Sequence, residues 1–275
     1  MDVIEIIKDA FVFPSKDPKT LLIYVLLSIV AGVFSVLGIF TYILGFINPE
    51  CFLFGGMAVI LSMLIGWVLS GYLISVIKSG IGLDDEVPEF EWWDNFITGF
   101  NNFIVSIVYF IIPAFVVLVV GYLTNIFGNV MVVYHGIVSQ AHNAYVGNST
   151  VLVSGALSQA IVNLAVSLAV TGTVALILFV IFSFFQTMAE ARLANTGSLS
   201  EALNVFEAAK DISRIGVGKV IILILLVIII AAVVEMVFSA VFSIVPILAI
   251  LSVVITPYLA FFANRAIGLL YSDIA

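Results

Sequence analysis

The chain has 275 residues, 63% of them hydrophobic and 9% charged, with a mean hydropathy of +1.30 and a formal net charge of −8. Soluble domains are about a quarter charged, so this composition excludes a soluble globular protein and indicates a chain that largely faces lipid. The acidic balance argues against a nucleic-acid partner, because phosphate binding requires a basic patch. The one cysteine, Cys51, excludes an intrachain disulfide and a cysteine cluster for zinc.

Six apolar stretches are long enough to cross a bilayer as helices, which takes about 20 residues each. They lie at roughly 20–46, 52–77, 102–125, 162–187, 218–242 and 246–267. Barrel strands would alternate apolar and polar residues, and these stretches do not. No polar stretch is long enough to form a separate core. The sequence therefore predicts an all-α membrane protein that forms a single polytopic domain over residues 1–275.

The basic residues predict the orientation. If all six stretches span, every lysine and arginine falls on one side, and the segments near 47–51, 126–161 and 243–245 on the other side contain none. The basic residues are Lys8, Lys16, Lys19, Lys78, Arg192, Lys210, Arg214, Lys219 and Arg265. The positive-inside rule then predicts a multi-pass protein of the cell membrane with both termini in the cytoplasm.

Three short amphipathic stretches precede the three pairs of spans on the predicted cytoplasmic side. They read EIIKDAFVF, EFEWWDNFITGF and LSEALNVFEAAKDISRI, and each contains an acid, then a small or amide residue, then a large apolar one. These triplets are Asp9-Ala10-Phe11, Asp94-Asn95-Phe96 and Glu201-Ala202-Leu203. The second span of each pair ends with an aromatic residue, then a base, then a glycine.

The pattern predicts three hairpins, each preceded by a short cytoplasmic interfacial helix and related by a pseudo-threefold axis. The alternative is that the three hairpins only share the anchoring residues that any membrane hairpin uses at its interface.

The stretch DDEVPEFEWWDNFITG, residues 84–99, combines six acids with two adjacent tryptophans. Trp92, Trp93 and Phe96 are residues that prefer the headgroup boundary, so we interpret them as interfacial anchors. The acids then cluster at the positive N-terminal end of a helix. The alternative is a calcium-binding loop, but the spacing of an EF-hand is absent.

Here the sequence resembles a known family. GYLISVIKSGIGLDDEVPEFEWWDNFITGF resembles the most recognisable stretch of a family of archaeal and bacterial membrane proteins, domain of unknown function 4013. FVFPSKDPKTLL and EARLANTGSLSEALNVFEAAK are similar to its other common segments, and Val87 before Pro88 departs from its Leu-Pro step. The resemblance covers most of the chain and implies a polytopic membrane domain, without an activity or a catalytic residue.

Glu235 is the one acid inside a predicted span, about 24 Å along the helix from Lys219 at 1.5 Å per residue. A carboxylate at that depth usually faces a bundle interior or water. It is a candidate site for ion or proton coupling; the alternative is a protonated or hydrogen-bonded residue that holds helices together, or one close enough to the outer surface to contact water. At this distance from Lys219, Glu235 is expected in the outer half of the bilayer, and the inner half is expected to contain no polar groups or water.

A polar stripe recurs every four residues on the fourth predicted span: Gln159, Asn163, Ser167 and Thr171. Small and polar residues at this spacing are typical of membrane helices that pack closely. The alternative is a polar path at the depth of Glu235, which would make the stripe and Glu235 one intramembrane site.

The remaining polar features suggest little chemistry. His135 and His142 lie seven residues apart, but two ligands do not make a zinc site, and we expect no metal and no cofactor. Asn148 begins the sequon Asn-Ser-Thr, a possible glycosylation site. Two charged groups, Arg192 with Glu190 and Lys210 with Asp211 and Arg214, are interpreted as a solvated cytoplasmic loop at the lipid headgroups; the alternative is a partner-docking site.

No catalytic motif is present, so we expect no enzymatic activity. The sequence favours a structural, assembly or regulatory membrane component, whose partners are membrane lipids and unidentified membrane proteins. The alternative is a transporter or channel for ions or small solutes with Glu235 as the coupling residue.

Overall fold

The computed structural model describes residues 1–145, 155–245 and 251–275. Within these residues all regular structure is helical. The helices are α1 (Val3–Val12), α2 (Pro18–Leu44), α3 (Glu50–Ile81), α4 (Trp92–Leu123), α5 (Ile126–Tyr145), α6 (Gly155–Thr196), α7 (Leu199–Ala202), α8 (Val205–Ile215), α9 (Val217–Ile244) and α10 (Ser252–Tyr271), with a 3-10 turn at Phe13–Ser15. Six of them, α2, α3, α4, α6, α9 and α10, are long and apolar enough to span a membrane, which confirms the predicted all-α membrane fold.

Local sequence explains where several helices begin and end. Asp17 caps α2 by accepting from the Lys19 amide at 3.0 Å and from the Thr20 hydroxyl, and Pro18 supplies a first residue with a fixed φ. The Thr20 hydroxyl lowers the pKa of Asp17, because it stabilises the charged carboxylate. Gly216, with φ +105°, separates α8 from α9 in a conformation that favours glycine.

The short stretches before the span pairs fold in two ways. Separate short helices precede the first and third pairs: α1 before α2, and α7 and α8 before α9. The second stretch, EFEWWDNFITGF, instead forms the beginning of α4 from Trp92 on, and this helix runs unbroken to Leu123. The location of these stretches at an interface, and the threefold relation, stay predictions.

Two compact units make up the described residues: Met1–Ser106 with Phe185–Ala275, and Ile107–Phe184. The basic residues all belong to the first unit, and the part of that unit that carries them is called the basic end below. The single domain predicted for residues 1–275 stays a prediction.

Helix α10 is the centre of the first unit. Half of its most apolar window is buried, whereas at most 17% is buried in each of the other five spans. Aromatic rings of neighbouring helices pack on it: the Tyr24 and Tyr72 rings lie 5.1 and 5.2 Å from the Phe261 ring. Phe13, Leu21, Val25, Leu69 and Val76 complete this core.

Glycines allow the helices of the first unit to cross closely. A Cβ atom on Gly71 of α3 would lie 1.7 Å from the Asn95 carbonyl oxygen of α4, and one on Gly99 would lie 1.7 Å from the Trp67 oxygen. At a second crossing, a Cβ on Gly268 of α10 would lie 2.2 Å from the Ile77 oxygen. Close backbone approach at small residues is a main source of helix association in lipid, so these crossings fix the positions of α3, α4 and α10.

We predict that Gly71→Ala and Gly99→Ala each lower the free energy of unfolding by about 3 kcal/mol, because the added methyl overlaps backbone atoms that cannot move aside. Gly66→Ala, on the same helix as Gly71, is the control, since a Cβ on Gly66 would meet nothing within 4 Å. Thermal unfolding of the purified protein in detergent measures the difference. Equal midpoints for Gly71→Ala and Gly66→Ala would contradict the predicted crossing.

Candidate functional site

Glu235 lies on α9 and is exposed in the chain. It lines a cavity of about 270 Å³ with Ser239 of the same helix and Ser252 and Thr256 of α10. Two hydroxyls of a neighbouring helix therefore share the cavity with the carboxyl. The sequence predicted the residue, but the contribution of α10 to its surroundings emerges only from the fold.

The predicted polar stripe lies in the second unit, and its members divide into two pairs. Gln159 and Asn163 are exposed and hydrogen-bond to each other at 3.1 Å. Ser167 and Thr171 are buried. The Ser167 hydroxyl donates to the Thr124 carbonyl oxygen at 2.7 Å, and the Thr171 hydroxyl lies 3.1 Å from that of Thr124. These two bonds hold α6 to the junction between α4 and α5, as expected for packing.

Glu235 belongs to the first unit and the stripe to the second. A joint polar path through both of them stays a prediction.

Among the remaining sequence candidates, Trp92 and Trp93 are exposed at the start of α4, and the Trp93 ring stacks on Phe96 at 5.8 Å. An exposed aromatic cluster of this kind suits a headgroup boundary. His135 and His142 lie on α5 and are both exposed. Asn148 lies outside the described residues.

A polar cluster surrounds Glu190 near the end of α6, and the dry inner half of the bilayer stays a prediction. Helix α6 continues unbroken through Glu190 to Thr196, so this acid lies in the helix and not in a solvated loop. The Gln186 amide donates to the Glu190 carboxylate at 3.0 Å and to the Ser106 hydroxyl at 2.9 Å. Asn102 is a further hydrogen-bond partner of the carboxyl.

The same cluster extends to α3, because the Asn102 amide nitrogen donates to the Ser70 hydroxyl at 3.0 Å. The Asn102 amide oxygen is buried and has no hydrogen-bond partner in the described part of the chain. The sequence signal for the cluster is the i, i+4 spacing of Gln186 with Glu190 on α6 and of Asn102 with Ser106 on α4.

Arg265 forms a buried junction at the basic end and is 1% exposed. Its Nε donates to Asp9 Oδ1 at 3.0 Å, and its terminal nitrogen donates to the Ser79 hydroxyl at 3.3 Å and to the Asp84 carbonyl oxygen at 2.7 Å. The guanidinium also lies 4.4 Å from the centre of the Phe13 ring. One side chain of α10 therefore holds α1, α3 and the loop after α3 together.

Arg192 forms a second buried junction, which corrects the interpretation of these charges as a solvated loop. Its guanidinium donates to Glu201 Oε2 at 2.8 Å and to Asp211 Oδ2 at 2.7 Å. Asp211 is 1% exposed and also accepts from the Tyr271 hydroxyl at 2.8 Å and from Arg214 at 2.9 Å. This network joins the end of α6 to α7, α8 and α10.

Comparison with protein-family models identifies the family of the chain. The model of the family described as Protein of unknown function (DUF4013) matches residues 54–243, more than half of the chain, so the chain belongs to this family of uncharacterised proteins. This confirms the resemblance seen in the sequence. Comparison with curated proteins and with solved structures gave no match.

We predict that Asp211→Ala lowers the free energy of unfolding by about 3 kcal/mol, because the buried Arg192 guanidinium loses the buried one of its two carboxylate partners and keeps only the exposed Glu201. Asp85→Ala is the control. Asp85 is an exposed acid paired with Lys16, and its loss should cost less than about 1 kcal/mol. Thermal unfolding in detergent compares the two, and equal losses would contradict a structural role for the Arg192 junction.

Proposed function

We propose that the chain is a non-enzymatic membrane component that assembles or regulates other membrane proteins, with both termini in the cytoplasm of a cell membrane. The observation that carries this proposal is an outward-facing helix at the basic end. One face of helix α8 packs on the rest of the first unit through Ala208 and Asp211, which are both buried. Its other face presents Phe206, which is 82% exposed.

Ion pairs within α8 hold the charged side chains that flank its exposed face. Lys210 contacts Glu207 at 2.5 Å, and Arg214 contacts Asp211 at 2.9 Å. The Lys210 ammonium lowers the pKa of Glu207, because it favours the charged carboxylate. A preorganised helix with an exposed aromatic residue loses little conformational entropy on binding, which suits a docking surface for a partner.

A photocrosslinking residue placed at Phe206 tests the proposal in the native membrane. We predict a discrete adduct with another protein, because α8 offers a fixed aromatic contact. The control position is Val36 in the middle of α2, which is 68% exposed and should crosslink to lipid alone. Lipid adducts alone at both positions would show that α8 lies on the bilayer and would contradict partner docking.

Transport is a second candidate function, favoured by the cavity that Glu235 shares with Ser239, Ser252 and Thr256. Under the main proposal, proteoliposomes with folded protein carry no more sodium or proton flux than empty liposomes. Flux that is present in the wild type and lost in Glu235→Gln would instead establish a transporter with Glu235 as its coupling residue. Flux in both proteins would also contradict the main proposal and would exclude Glu235 as the coupling residue.

A further inference from the structure

The repeated sequence pattern contains three acid–base pairs, and two of them form ion pairs in the structure. In the pattern, the base at the end of one hairpin precedes the acid of the next short stretch. Arg192 binds Glu201 at 2.8 Å, and Arg265, at the end of the last hairpin, binds Asp9 of the first stretch at 3.0 Å. Each bond joins consecutive members of the pattern.

The third pair, Lys78 and Asp94, forms no ion pair in the described part of the chain and is called the open pair below. Neither residue forms an ion pair within the described residues, and both line one cavity of about 300 Å³ between the end of α3, the start of α4 and the end of α6. Its wall contains a second acid, Glu91, and the polar side chains of Ser75, Thr98 and Asn101. The cavity therefore combines one cationic group, two carboxylates and several neutral hydrogen-bonding groups.

A buried, unsatisfied donor lies beside this cavity. Asn95 is 2% exposed, and its amide nitrogen has no hydrogen-bond partner in the described part of the chain. Its amide oxygen accepts from the hydroxyl of Ser75 at 3.2 Å, and Ser75 is part of the cavity wall. A buried donor without an acceptor is costly, and Asn95 is linked to the cavity through its bond to Ser75, since it does not itself line the wall.

We propose that this cavity binds a phosphoethanolamine group, as a lipid headgroup or as the free molecule. Lys78 would bind the phosphate, and Asp94 and Glu91 would bind the primary ammonium. Lys78, Glu91 and Asp94 are exposed, so water solvates their charges in the free site, and a ligand that carries both charges can contact the lysine and the carboxylates together. The site is independent of partner docking at α8.

The composition of the site also sets its selectivity. A primary ammonium donates hydrogen bonds to carboxylates, whereas the quaternary ammonium of choline has no N–H group to donate. Glycerol headgroups carry no positive charge for Asp94 and Glu91. Exposed Trp92 and Trp93 lie next to these acids in the chain and favour the headgroup level, which is where a lipid would supply the group.

Native mass spectrometry of the full chain in detergent tests the lipid source with phosphatidylethanolamine, phosphatidylcholine and phosphatidylglycerol added at equal concentration. We expect wild-type protein to bind phosphatidylethanolamine about tenfold more tightly than either other lipid, which corresponds to about 1.4 kcal/mol. Lys78→Gln and Asp94→Asn should each remove this preference. Lys8→Gln and Glu89→Gln remove exposed charges that do not line the cavity and should retain it.

Thr98→Leu keeps every charge and fills the cavity, so it should abolish the preference even if a charge variant proves unstable. Calorimetric titration with free phosphoethanolamine distinguishes the sources: binding of the free molecule without lipid selectivity, sensitive to Lys78→Gln, would support a soluble ligand. Equal affinity for the three lipids without binding of the free molecule would overturn the proposal. A preference unchanged in Lys78→Gln and Thr98→Leu would also overturn it.

Discussion

The assembly of the first unit depends on a buried guanidinium. Arg265 is 1% exposed, and removing an arginine from water costs several kcal/mol unless its hydrogen bonds are replaced. Here Asp9 neutralises the charge, while the Ser79 hydroxyl and the Asp84 carbonyl oxygen satisfy further N–H groups. The charge is stable only when α1, α3 and α10 are all in place. The N-terminal helix is thereby held against the last span, 256 residues away along the chain.

This dependence on polar junctions follows from the solvent. In lipid, the hydrophobic effect does not drive helices together, so association relies on close packing and hydrogen bonds. Five of the six spans accordingly have at most 17% of their most apolar window buried in the chain. The first unit is held at the glycine crossings and by the arginine junctions of the basic end. The proposed docking at α8 would rely on such an arrangement, because a helix that presents a partner site must be fixed at its base.

The sequence predicted the six spans, because long apolar runs in a bilayer have few alternatives to a helix. It predicted the family from the stretch GYLISVIKSGIGLDDEVPEFEWWDNFITGF. It did not predict the burial of Asp211 or the cluster around Glu190. Both arise where residues distant in sequence meet. A charged residue near the end of a span has the same local sequence pattern whether it is solvated or buried. Glu235 was identified from sequence because a single acid inside an apolar run stands out. The distinct structure of the second amphipathic stretch was hidden for another reason: its residues are equally compatible with a separate helix and with the first turns of α4.

The identity of the base explains why one junction of the pattern is open. Arginine offers five donors in a planar fork, so Arg192 and Arg265 each bind a carboxylate and a backbone carbonyl oxygen at once. Lysine is a compact point charge on a flexible stem, and Lys78 has to serve two acids, Asp94 and Glu91, across a cavity. A lysine cannot fill the space that a guanidinium and its hydrogen bonds occupy at the other two junctions. The open junction therefore leaves an exposed lysine, two exposed carboxylates and free volume together, a combination that suits a small zwitterion.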